Sequence, residues 1–120
     1  MTVDPFAERL ARVRHRFVSN LQGRIDETCA AIPKLAADAP EAAPAVAEAY
    51  LCVHGIVGVG PTVGFPATGR AAREVEDVLR SPYNTKRGLT ADEIANLANS
   101  LQSLRDAASR ELQSFHPVLE

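Results

Sequence analysis

Cysteine is scarce in this chain of 120 residues, and the two that occur, Cys29 and Cys52, do not have the spacing of a metal-binding or redox pair. No secretory signal is evident either, so we expect reduced thiols in a cytoplasmic protein. Long uninterrupted apolar runs are missing too. The longest, residues 53–66, is rich in glycine and too short to cross a bilayer, so no membrane segment is predicted.

Charge of one sign is not in excess. The formal net charge is -2, which gives no reason to expect a nucleic acid as partner. One early stretch is locally basic and contains Arg9, Arg12, Arg14, His15 and Arg16. We interpret it mainly as a solvated helix face rather than a binding patch. The length of the chain predicts one domain, spanning residues 1–120, with a single modest core.

Alternation of apolar and polar residues with a period of two is absent, so no sheet is expected. Apolar residues recur instead at spacings of three and four, which predicts helices. The first helix begins at Asp4-Pro5, and its apolar stripe is Phe6, Leu10, Val13, Phe17, Leu21, Ile25 and Cys29. Gly23 either lies within it or joins a short extra helix to the next one, and Pro33 should bend or end it near Ile32.

Three further helices follow a connector at residues 36–44. The second starts near Glu41 or Pro44, with the core positions Val46, Ala49, Val53 and Ile56. A bend at residues 62–65 should bury Phe65. The third covers residues 67–80 and ends at Ser81-Pro82, before a polar surface loop at 83–89. A Thr90–Glu93 capping box opens the fourth, whose stripe is Ile94, Leu97, Leu101, Leu104, Ala108, Leu112 and Phe115. The expected fold is all-α, an antiparallel up-and-down four-helix bundle with a short or continuous extra N-terminal helix.

Glycine is concentrated just after one histidine. Gly55, Gly58 and Gly60 follow His54 in the second helix and would together weaken it by about 2 to 3 kcal/mol relative to alanine. Because positions three and four apart share a helix face, Gly58 lies beside the imidazole. We interpret His54 as an exposed residue that a second macromolecule approaches closely. His15 and His116 lack such surroundings and are interpreted as structural.

A metal site, a catalytic triad and a phosphate-binding loop all fit the segment around His54 poorly. Residues two apart on a helix point about 200° apart, so Cys52 and His54 cannot share a metal ion. No nucleophile-elbow pattern indicates a catalytic triad. The glycine run at 55–64 is not followed by the Lys-Ser/Thr of a phosphate-binding loop, and no strand precedes it. Tyr50 and Leu51 either contact a partner or pack at a helix boundary.

The segment from His54 to Glu76 resembles histidine-containing phosphotransfer (HPt) proteins, the carriers of two-component phosphorelays. The pattern of histidine, any residue, aliphatic, frequently lysine and then glycine reads here as residues 54–58, with Val57 where many members have lysine. A subgroup with a Gly-Phe-Pro turn is matched by Thr62, Gly64, Phe65, Pro66, Gly69, Ala71 and Ala72, followed by an acidic residue such as Glu74 or Glu76. Arg16-Phe17 and residues 21–25 resemble the preceding helix of the family.

The resemblance implies that His54 accepts a phosphoryl group from the aspartyl phosphate of a response-regulator receiver domain and passes it to another receiver. No cofactor would bind this chain, because the receiver supplies Mg²⁺, and the carrier would have no kinase activity of its own. A hybrid sensor kinase is a further implied partner, and a monomer is expected. The implied docking residues are Tyr50, Leu51, Gly55, Val57, Gly58 and Pro61. Arg70 or Arg73 would add attraction for the phosphoryl group.

Two alternatives stay open. A valine in place of the usual lysine fits a non-catalytic bundle that binds receivers or kinases without carrying phosphate. The helical dimerisation domain of a sensor kinase also presents a histidine on a bundle, and would be an obligate dimer.

Overall fold

Four α-helices make up most of the computed structural model, which describes residues 4–115. They are α1 (Pro5–Leu35), α2 (Ala42–Val59), α3 (Pro66–Asn84) and α4 (Ala91–Ser114), and a short 3₁₀ turn, Pro61–Val63, joins α2 to α3. Within these residues no β-strand forms, and Ala36 and Leu89 make only an isolated bridge. The all-α prediction is therefore confirmed. His116 lies outside the described residues.

Helix α1 is one continuous helix of 31 residues. The Asp4 side chain accepts a hydrogen bond of 3.0 Å from the backbone N–H of Phe6, and Pro5 occupies the first turn, as predicted. Gly23 lies within the helix, and Pro33 does not end it, so the expected end near Ile32 was wrong. Leu35, two residues beyond the exposed Pro33, is fully buried, and this packing holds the last turn helical.

Helix α2 supplies the centre of the core. Val46, Ala49, Val53 and Ile56 are all buried, which confirms the predicted inward face. The stretch Ala42–Val63 is 22 residues long with a mean hydropathy of 1.5, and by length and composition alone it qualifies as a membrane span. The apolar stretch begins at Ala42, well before the glycine-rich run at residues 53–66 that is too short to cross a bilayer.

The connection between α2 and α3 is a tight turn. Gly64 adopts a left-handed conformation with φ of 96°, which a glycine adopts without steric cost. The next residue, Phe65, is 1% exposed and its ring contacts that of Phe17, with centroids 5.3 Å apart. The predicted bend with a buried Phe65 is confirmed.

Helix α3 is longer than the sequence predicted. It continues through Ser81-Pro82 to Asn84, although a proline inside a helix costs about 3 kcal/mol. Pro82 is buried and Tyr83 stacks on Tyr50 of α2, so tertiary contacts favour the extra turn. The segment 83–89 is therefore not a polar surface loop: its last residue, Leu89, is 1% exposed and its N–H donates to the carbonyl of Leu35.

Helix α4 begins as predicted and also holds the start of α3. The reciprocal Thr90–Glu93 capping box is present. Near the other end, the Glu111 carboxylate accepts hydrogen bonds of 3.0 and 2.7 Å from the backbone N–H groups of Ala67 and Thr68. A side chain of α4 thus satisfies the free N–H groups of α3, whose own cap position, Phe65, has no side-chain acceptor.

The four helices enclose a single core. Helix α2 packs against α1 and α3, and α4 packs against α3 and α1, so each helix has two helical neighbours. The 3₁₀ turn contacts α1, α2 and α3. His54 therefore lies on a helix that is flanked on both sides.

Candidate functional site

His54 lies on the outer side of α2, opposite the core positions. Its side chain is 62% exposed, whereas Val53 and Ile56 on the same helix are buried. The imidazole is therefore open to a large partner. Its position follows from the helical period, because the inward residues of α2 recur at spacings of three and four and leave position 54 outside.

A buried carboxylate from α3 holds this ring. Nδ1 of His54 hydrogen-bonds with Oε2 of Glu76, whose side chain is only 4% exposed. Nη2 of Arg80 donates to the other carboxylate oxygen of Glu76 over 3.3 Å. Since an ionised carboxylate only accepts hydrogen bonds, this contact favours the neutral tautomer in which Nδ1 carries the proton and Nε2 has the lone pair. The reactive nitrogen of the ring is thereby fixed as Nε2.

Two tyrosines form an aromatic stack beside the histidine. The ring of Tyr50 lies 5.9 Å from that of His54 with an interplanar angle of 11°. Tyr83 stacks on the other side of Tyr50 at 4.1 Å and 8°. The pKa of Arg80 is raised, chiefly by its hydrogen bond to Asp77 and then by the Tyr50 hydroxyl. The His54 ring is thus fixed on one edge by its hydrogen bond to Glu76 and on one face by stacking on Tyr50.

The surface that follows His54 along α2, at Gly55 and Gly58, has very little side-chain bulk. A Cβ atom added at Gly58 would meet nothing within 4 Å, and one at Gly55 would meet only Nη1 of Arg24, at 3.6 Å. Leu51 is 58% exposed and Pro61 is also exposed. No contact among residues 4–115 requires glycine at position 58, although alanine would stabilise the helix.

The third glycine of the run has a different role. Gly60 is buried, and a Cβ there would lie 2.9 Å from the carbonyl oxygen of Ile56 and 3.3 Å from that of Phe65. Gly69 of α3 is also crowded, because a Cβ would come within 2.7 Å of Pro61. Unlike Gly58, Gly60 therefore permits close backbone packing at the turn.

The remaining predicted residues fall in several places. Tyr50 is half-buried in the stack, and Val57 is half-buried and packs against the core. Arg70 and Arg73 are exposed on α3, and the guanidinium that joins the His54 network is that of Arg80. Cys29 and Cys52 are free thiols, and His15 is exposed on α1.

Sequence reasoning missed Arg80 and Tyr83 as members of this cluster. Glu76 and Arg80 are four residues apart, a spacing that places them together on one face of a helix, and this pair was a detectable signal. Tyr83 was not detectable, because Ser81-Pro82 indicated that the helix had already ended.

Within residues 4–115 no group of three or more potential metal ligands comes together. Comparison with family models, with curated proteins and with solved structures gave no match to this chain. A function for the chain therefore has to be inferred from the chemistry of the site itself.

Proposed function

We propose that this protein is a histidine phosphotransfer carrier of a two-component phosphorelay, with Nε2 of His54 as the phosphoacceptor. The observation that supports this best is an exposed imidazole whose Nδ1 is held by a buried carboxylate. An imidazole fixed in this way presents one nucleophilic nitrogen to solvent in a constant orientation. The segment from His54 to Glu76 and its similarity to HPt proteins fit the same role.

The fold that accompanies this function is, we infer, an antiparallel up-and-down four-helix bundle. Each helix contacts two others, and the connections α1–α2, α2–α3 and α3–α4 are short. Such a bundle needs no second chain to close its core. It would present His54 on the side of one helix, midway along the molecule.

The transfer step uses the ring and its carboxylate partner. Nε2 attacks the phosphorus of an aspartyl phosphate, the Nε2–P bond forms, and the bond from phosphorus to the carboxylate oxygen breaks, which releases the donor's aspartate. The ring becomes positively charged while Nδ1 keeps its proton, and the Glu76 carboxylate stabilises that charge. Onward transfer reverses these steps on a second receiver.

The partners are response-regulator receiver domains, with a hybrid sensor kinase as a further one. Charge builds up on the oxygens of the moving phosphoryl group, so a metal ion and cations stabilise the transition state more than a general base does. The receiver would supply Mg²⁺, and this chain would bind none. The carrier would act in the cytoplasm and would not itself phosphorylate from a nucleotide.

Label transfer from phosphorylated receiver domains tests the proposal. The protein should acquire acid-labile, alkali-stable label, and His54→Gln should acquire none. His15→Gln is the matched control, because it removes another exposed histidine and should leave labelling unchanged. Label that is retained in full by His54→Gln would exclude His54 as the phosphoacceptor.

A receiver-binding adaptor that carries no phosphate is the second candidate. It is favoured by the composition of α2, which contains no lysine or arginine to assist a phosphoryl group. Such an adaptor would bind receivers with equal affinity in the wild type and in His54→Gln, and neither would acquire label. The labelling experiment therefore separates the two candidates.

A further inference from the structure

A phosphoryl group on His54 would need positive charge, and α2 has none to offer. Its 18 residues include no lysine or arginine, and Glu48 is their only charged residue. The cation on this chain must therefore come from a flanking helix. A role for such a cation rests on the proposed function and extends it to a residue to which the resemblance assigned no role.

Helix α3 provides a guanidinium close to the ring, but that group is already engaged. Nη1 of Arg80 donates to Asp77 over 2.6 Å, and Nη2 donates to Glu76 over 3.3 Å. These two carboxylates neutralise its charge locally. Moving Arg80 to an incoming phosphate would also remove a partner from the buried Glu76, which is costly for a buried carboxylate.

Helix α1 flanks the other side of α2 and brings Arg24 next to the site. Nη1 of Arg24 lies 3.6 Å from the position that a Cβ of Gly55 would occupy, so the guanidinium rests against the residue that follows His54. Arg24 is half-buried, and among residues 4–115 its guanidinium has no hydrogen bond or ion pair with another side chain. A half-buried guanidinium without an anion beside it is poised to accept one.

We propose that Arg24 binds the phosphoryl oxygens once the group is attached to Nε2 of His54, and that Gly55 and Gly58 leave its path open. Gly58 presents no side chain, and at Gly55 the guanidinium lies against α2. The arginine side chain is long enough to swing from Gly55 toward the neighbouring imidazole. Arg24 would thus supply from α1 the positive charge that Val57 does not supply from α2.

A small phosphodonor tests this contact without a receiver. Phosphoramidate transfers its phosphoryl group to Nε2 with loss of ammonia, so docking surfaces play no part. The initial rate of His54 labelling should fall about tenfold to hundredfold in Arg24→Gln. Arg24→Lys should keep an intermediate rate, because it retains charge but not the paired N–H groups.

Arg16→Gln is the matched control. Arg16 lies on the same helix, about 12 Å from Arg24 along its axis, and is exposed. This variant should label at the wild-type rate. Urea unfolding of all variants shows whether each is folded. As a second readout, the ³¹P signal of the phosphohistidine should titrate at higher pH in Arg24→Gln, because loss of a neighbouring cation disfavours the dianion.

The outcomes distinguish this proposal from the function on which it depends. If wild-type protein labels on His54 and folded Arg24→Gln labels equally fast with an unchanged ³¹P titration, the role of Arg24 is excluded and the carrier function stands. If wild-type protein acquires no label from phosphoramidate or from any receiver, the carrier function itself fails. If Arg16→Gln lost as much labelling rate as Arg24→Gln, the loss would be due to general surface charge. That result would also exclude a specific role of Arg24.

Discussion

At the scale of single residues, the contact between His54 and Glu76 determines which ring nitrogen is free. The carboxylate is buried and the ring is exposed, so the pair joins the interior of the protein to its surface. Glu76 is held from the other side by Arg80, whose own orientation depends on Asp77. The chain of contacts therefore runs along α3 and ends at the imidazole.

Replacement of Glu76 by glutamine should slow phosphoryl transfer about fivefold to tenfold, because a charge-assisted hydrogen bond worth about 1.5 to 3 kcal/mol becomes a neutral one worth about 0.5 to 1.5 kcal/mol. The amide can also present its NH₂ group to Nδ1, which would favour the wrong tautomer. ¹⁵N spectra of the His54 ring would report this directly. Glu74→Gln, at an exposed position on the same helix, should behave as wild type. A wild-type transfer rate in Glu76→Gln would show that the carboxylate charge is not used.

Glycine at position 58 destabilises helix α2, and no contact among residues 4–115 offsets this cost. Gly58→Ala should raise the free energy of unfolding by about 0.5 to 1 kcal/mol, because alanine restricts the unfolded chain and favours the helix. It should also weaken transfer from receivers while leaving labelling by phosphoramidate unchanged, since the added methyl group obstructs only a large partner.

Gly23→Ala is the control for this prediction. Gly23 is likewise exposed within a helix, and a Cβ there meets nothing within 4 Å. Its alanine variant should gain similar stability in urea unfolding and transfer at the wild-type rate. If Gly58→Ala accepted phosphoryl groups from receivers at the wild-type rate, glycine at this position would not be needed for receiver docking.

At the scale of helices, the inward faces of α2 and α4 and the N-terminal caps of α1 and α4 followed from residue spacing and from capping chemistry. These are local signals, each set by a few neighbouring residues. The predicted stripe of α1 is buried only from Phe17 onward, and Phe6 and Val13 are exposed because no other helix of residues 4–115 covers that end of α1.

The ends of α1 and α3 did not follow from these signals. Pro33 and Pro82 predicted helix ends, but the burial of Leu35 and the stacking of Tyr83 keep the chain helical beyond these prolines.

In the candidate site, too, features set by one helix were predictable, and features set by contacts between helices were not. The exposure of His54 was predictable because it depends on the period of one helix. Its partner Glu76 on α3, and the position of Arg24 against Gly55, depend on how helices are placed against each other, which no local pattern encodes. Glu76 was indicated only as one of two acidic residues, and Arg24 lay in the segment 21–25, for which the resemblance implied a helix but no contact with the histidine.

The capping box of α4 gives a pH dependence with a definite sign. The pKa of Glu93 is lowered to about 2, first by its hydrogen bond to Arg87 and then, against the opposing effect of burial, by the Thr90 backbone. A lowered carboxyl pKa adds stability above the ordinary value near 4.5, and this stability is lost as the pH falls toward 2.

Glu93→Gln should therefore be less stable than wild type at pH 7, by about 1 kcal/mol for a half-exposed cap and ion pair. The two proteins should converge in stability as the pH is lowered from about 4.5 to about 2. Urea unfolding at several pH values measures the difference, and Asp92→Asn in the same first turn serves as the reference. A difference that is constant across this range would contradict the role of the Glu93 charge.

At the scale of the whole molecule, the arrangement of helices predicts the oligomeric state. Each helix has two neighbours from its own chain, so the core closes without a second copy. In residues 4–115 the exposed large apolar side chains are Phe6, Val13 and Leu51, which lie on two different helices. Scattered apolar residues of this kind do not provide the area of a stable dimer interface.

Sedimentation equilibrium should accordingly give a single species of 12.9 kDa at micromolar concentration. The dimerisation domain of a sensor kinase would behave differently, because its core forms only between two chains and its unfolding midpoint would rise with concentration. Measuring both mass and thermal midpoint over a hundredfold range of concentration separates the two. A mass near twice the chain value, together with a concentration-dependent midpoint, would favour the dimerisation domain, since a carrier must leave the face around His54 free for receivers in turn.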